Sequence, residues 1–263
     1  MKFTEIIDKE YENVSETVVD KLVSPKKDVK LEYEVMPRAD TYAEGIHALR
    51  NFYEEKKSEV PKQLLYECDG QKIIRPLTFR ENILARVEDF ETLKNEDGTK
   101  RTLSDRLRLF YERLDSCSGV AYSSQKRDEF MIIPICEELI TMPKNFRQEF
   151  IFVDYDSLKG KGISFKKSQI KSDLLLTEFE VITHPAWIAL VEEDMRLLIT
   201  YSAIMFENMK LVDGKNAGFF LHHRMKNEDL LNSVFVKSNV NNSDIRGSSL
   251  FSTLYSFLRA TQL

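Results

Sequence analysis

THPAWIALVEEDMRLLITYSAIMFENM, residues 183–209, carries the strongest helical signal in the chain, and the architecture turns on how it is read. Thr183 is a residue type that accepts a hydrogen bond from a helix's first free amides. Pro185 suits the first turn, where its missing N–H costs nothing. The spacing then predicts one rod over residues 185–209, roughly six or seven turns long. Its polar residues Glu192, Glu193, Arg196, Thr200 and Glu207 gather into one stripe, and most of the circumference is apolar. Such a helix is expected at the centre of its lobe. At about 100° per residue, Asp194 falls on the face of Trp187, Val191, Leu198 and Tyr201. A carboxylate there is expected to be buried and to need an arginine, a histidine, hydroxyls or a metal beside it.

Working outward, residues 150–153 (FIFV) read as a strand buried on both faces, closed by Asp154-Tyr155-Asp156. Residues 157–172 hold five lysines, two glycines and no acid, as an exposed loop or a lysine-guarded edge hairpin would. Beyond the long helix, Asp213-Gly214 turns the chain into a candidate strand at 218–224. Leu250, Phe251, Leu254, Tyr255 and Leu258 are spaced as a closing amphipathic helix.

Upstream, Phe3, Ile7, Tyr11, Val14, Val18 and Leu22 form an apolar stripe on an opening helix that Ser24-Pro25 stops. Residues 29–35 alternate as a half-exposed strand, and 41–59 return to helical spacing through Tyr42, Ile46, Leu49 and Tyr53. Asp69-Gly70 between short apolar runs predicts a type I′ hairpin. Thr78 and Glu81 predict a capping box for a helix through residue 93. A polar loop at 95–101, a helix at 103–114 and two strands at 119–123 and 129–135 follow. The expected class is therefore α+β, with antiparallel hairpins and packed helices. Met142-Pro143 suggests an N-terminal lobe at 1–143 and a C-terminal lobe at 144–263 built round the long helix, although 263 residues also fit one domain.

The composition is that of an ordinary globular core, 42% hydrophobic and 31% charged, so a disordered chain is excluded. A net charge of -5 gives no long-range attraction for nucleic acid or anionic membrane, so a nucleic-acid site would have to be a local patch. No apolar run approaches the roughly 20 residues that span a bilayer. The opening MKFTEIIDKEYENV carries acids where an export signal needs an apolar stretch, so a cytoplasmic protein is expected. Cys68, Cys117 and Cys136 are odd in number and form no C-x-x-C pair, which argues against a disulfide framework or structural zinc site.

Asp154 and Asp156 stand at alternate positions of a strand end, where two carboxylates can converge on one hard cation. The arrangement resembles the first motif of haloacid-dehalogenase phosphatases and the strand-end acids of some nucleases. Under about ten residues carry that likeness. Here Ser157 leads into the lysine-rich loop, whereas in those phosphatases a threonine and a short turn follow. His222 and His223 would point to opposite faces of their strand, with His223 beside Phe219 and Leu221.

Three functions are compatible with these features. The first is a non-catalytic binding or assembly protein, engaging a protein partner or itself. The second is a metal-dependent phosphoesterase or nuclease, in which Asp154 and Asp156 hold a divalent cation and Asp194 or His223 completes the site. The third is single-stranded nucleic-acid binding through Lys159, Lys161, Lys166, Lys167 and Lys171.

Overall fold

The computed structural model describes residues 31–55, 60–95, 97–148, 151–170, 173–211, 216–221, 228–239, 242–248 and 255–262. The opening stripe at 3–22, the Asp213-Gly214 turn, His222, His223 and Lys171 lie outside them.

The architecture is the expected α+β class. Its centre is an eight-stranded mixed sheet containing β4 (Leu114–Tyr122), β5 (Glu129–Ile133), β6 (Ile151–Phe152), β7 (Ile163–Lys166), β8 (Asp173–Leu176), β9 (Asn216–Leu221), β10 (Leu230–Asn239) and β11 (Asn242–Ser248). The order is β7-β5-β4-β10-β11-β9-β8, with β6 paired to β10 at Leu230 and Leu231. All described pairings are antiparallel except β11 with β9. The pairings cross the expected 143/144 boundary: β4 is hydrogen-bonded to β10, and β5 to β7, so the two halves share one sheet.

Alternation along these strands sorts the core onto two faces. Val120, Tyr122, Phe130, Ile132, Leu230 and Val234 lie in one cluster, against α2 (Phe79–Glu91), α7 (Pro185–Leu190) and α8 (Met195–Leu211). Ala121, Met131, Ile133 and Leu231 lie in the other, with Tyr42, Ala43 and Ile46 of α1 (Tyr42–Glu55). Helix α1 serves both clusters, because its Leu49 and Tyr53 belong to the first.

Local readings hold where one interaction dominates. Asp69 and Gly70 both adopt positive φ, 49° and 73°, between β2 (Leu65–Cys68) and β3 (Gln71–Ile74), as a type I′ turn requires. Thr78 and Glu81 form the reciprocal capping box of α2. β1 (Leu31–Val35) buries Tyr33 and exposes Glu32 and Glu34.

Four expectations are corrected. The helix at 185–209 is two helices. Trp187 and Ile188 carbonyls accept the amides of Val191 and Glu193, which ends α7, and Glu192 and Glu193 turn left-handed at φ 56° and 62°. Asp194 then opens α8, its carboxylate accepting the Leu197 amide at 3.1 Å and its carbonyl the Leu198 amide. A side chain that caps so readily competes with helix continuation. The helix at 103–114 is likewise two four-residue pieces, α3 (Leu103–Arg106) and α4 (Arg108–Tyr111), and Leu114 already belongs to β4. The doubly buried strand at 150–153 is a two-residue edge strand whose Phe152 is 48% exposed. The closing helix is replaced, in its described part, by a bridge at Tyr255 and by β12 (Leu258–Gln262), paired with β1. The Tyr53 hydroxyl locks β12 by accepting from the Ala260 amide and donating to the Ala260 carbonyl.

Candidate binding surface

The β4–β5 turn, β6 and the entry to β10 meet at one corner of the sheet. Asp229, just ahead of β10, accepts the Ser124 amide on Oδ1 at 2.6 Å and the Tyr155 amide on Oδ2 at 3.0 Å. Its carbonyl accepts the Val153 amide at 3.3 Å. One residue thus ties three segments that are distant in sequence. Partial burial disfavours the Asp229 carboxylate, but the Ser124 and Tyr155 amides outweigh it and hold the carboxyl below the usual aspartate range. Beside it lies an open depression of about 520 Å³ lined by Ser124, Phe152, Val153, Asp154, Glu228 and Asp229.

Asp154 stands exposed at the start of a 3-10 turn, Tyr155–Leu158, and its Oδ1 accepts the Asp156 amide at 3.0 Å. This local turn is a common use of aspartate after a strand. Asp156, with its side chain 64% exposed, pairs with Lys159 at 2.8 Å and Lys126 at 3.8 Å. The Lys159 hydrogen bond and charge hold the Asp156 carboxyl below its ordinary range, and Asp156 in turn raises Lys159. The two carboxylates therefore share a segment but serve different partners. Tyr155 and Leu158 are buried beneath them and anchor the turn.

Asp194 has a different neighbourhood. It is intermediate in exposure and pairs with Arg80 of α2 at 2.6 Å. The predicted inward position is met only halfway, because the helix break swings residue 194 to a helix start. Among the described residues, no group of three or more His, Cys, Asp or Glu side chains is placed to hold a metal ion.

Among the described residues, the lysines do not form a continuous track of unengaged charge. Lys159 pairs with Asp156, and Lys161 with Glu138 at 3.3 Å. Lys167 donates to the Arg127 carbonyl at 2.6 Å, and its ammonium lies 5.9 Å from the centre of the Tyr122 ring. Lys166 is exposed on β7, the strand at the sheet's end. Burial lowers Lys167, while hydrogen bonding to Glu138 raises Lys161.

Sequence reasoning located Asp154 but missed Asp229, Glu228 and Ser124. The only local signal was a pair of acids ahead of an apolar run, Glu228-Asp229-Leu230-Leu231. The contacts that give Asp229 its role reach 105 and 74 residues along the chain, beyond any periodicity.

No family model matches this chain, and no curated protein does. Among solved structures, it is similar to a protein described in work on how the C-type lectin fold accommodates massive sequence variation in Nanoarchaeota. The TM-score is 0.53 at 14% sequence identity, with 90% of this chain and 100% of that chain covered. At such identity the likeness is one of fold alone, and the α+β arrangement seen here is accordingly similar to a C-type lectin fold.

Proposed function

We propose that this chain is a cytoplasmic binding protein whose helix–sheet–helix frame presents the corner around Asp229 to a protein partner or to a second copy of itself. The observation that carries this reading is the depression, which combines apolar Phe152 and Val153 with Asp154 and Glu228 on a rim that Asp229 holds rigid. Mixed apolar and polar lining on a fixed frame suits noncovalent recognition. The fold likeness adds support, since the similar Nanoarchaeota fold accommodates massive sequence variation, as a frame stabilised by its interior can do. Three free thiols, two of them buried, fit a reducing compartment. No helix among the described residues is long and apolar enough to cross a membrane.

The test is biolayer interferometry of the immobilised protein against protein and peptide panels, with sedimentation velocity to detect self-association. Phe152→Ser combined with Asp154→Ala should weaken the interaction found by about tenfold or more, a change of about 1.4 kcal/mol, with the fold intact by circular dichroism. Absence of any interaction would overturn the proposal. So would metal-dependent phosphoester hydrolysis that Asp154→Asn abolishes.

A further inference from the structure

We draw no further inference here: the strongest candidate, the acidic surface depression between β6 and the start of β10, belongs to the site already described, and nothing in the structure shows what fills it.

Discussion

Replacing Asp229 with alanine removes one carboxylate that serves two backbone amides, Ser124 at 2.6 Å and Tyr155 at 3.0 Å. Hydrogen bonds to a charged acceptor contribute roughly 1.5–3 kcal/mol each when shielded. At this open corner water can take over the stranded amides, which reduces the loss to about 1.5 kcal/mol for the pair. For a chain of this size, roughly 2–4 °C of melting temperature accompanies each kcal/mol, so Asp229→Ala should melt about 3–6 °C below wild type at pH 7. Asp229→Asn keeps one carbonyl oxygen and should lose about half as much. The pH dependence follows from the direction of the shift. The folded carboxyl sits below its unfolded value of about 3.9, so its contribution is present above that value and disappears as pH falls through the folded one. Thermal unfolding followed by circular dichroism should therefore show a gap between wild type and Asp229→Asn at pH 7 that narrows in acid. A melting temperature for Asp229→Ala within about 1 °C of wild type at pH 7, or a gap that widens in acid, would refute the assignment of Asp229 as the tie of this corner.

Three further substitutions probe the frame. Asp194→Ala removes both the cap of α8 and the partner of Arg80, and should cost about 1–2 kcal/mol in urea unfolding; no loss would mean that the α7–α8 break is held by packing alone. Glu193→Gly should stabilise by about 0.5–1 kcal/mol, because a left-handed φ of 62° penalises a side chain and not glycine, and a destabilised variant would contradict that. Gly45→Ala should destabilise by about 1–3 kcal/mol although alanine favours helix, because the added methyl meets the buried ring of Phe257; a more stable variant would show that the ring can yield.

Most of the secondary structure could be read wherever a residue's neighbours along the chain settle its state. The Asp69-Gly70 turn and the Thr78/Glu81 box are complete within four residues, and both appear as predicted. The apolar face of α1 is likewise buried at Tyr42, Ile46, Leu49 and Tyr53. Misreadings fall where two local solutions are close in energy and a distant contact chooses. Val-Glu-Glu-Asp at 191–194 permits a continuous helix by pattern, but Asp194 also caps, and Arg80 from α2 holds it in that role. The segment from Tyr255 fits either helical or alternating spacing, and pairing of Leu258 with Val35 selects the strand.

The candidate surface was less legible for the same reason, in stronger form. Its distinguishing residue, Asp229, gains its role from Ser124 in the β4–β5 turn and Tyr155 in the 3-10 turn after β6, two segments remote from it in sequence. A sequence pattern can present two aspartates at a strand end, but whether their carboxylates converge depends on the backbone between them. Here the Asp156 amide turns back onto Asp154, while Lys159 and Lys126 draw the second carboxylate outward. Two of the lysines expected to engage an external phosphate, Lys159 and Lys161, are committed to Asp156 and Glu138. These pairs leave Asp154, Glu228 and Asp229 as the charged lining of the depression, beside apolar Phe152 and Val153, which favours a partner that brings cationic or hydrogen-bond-donating groups to that rim.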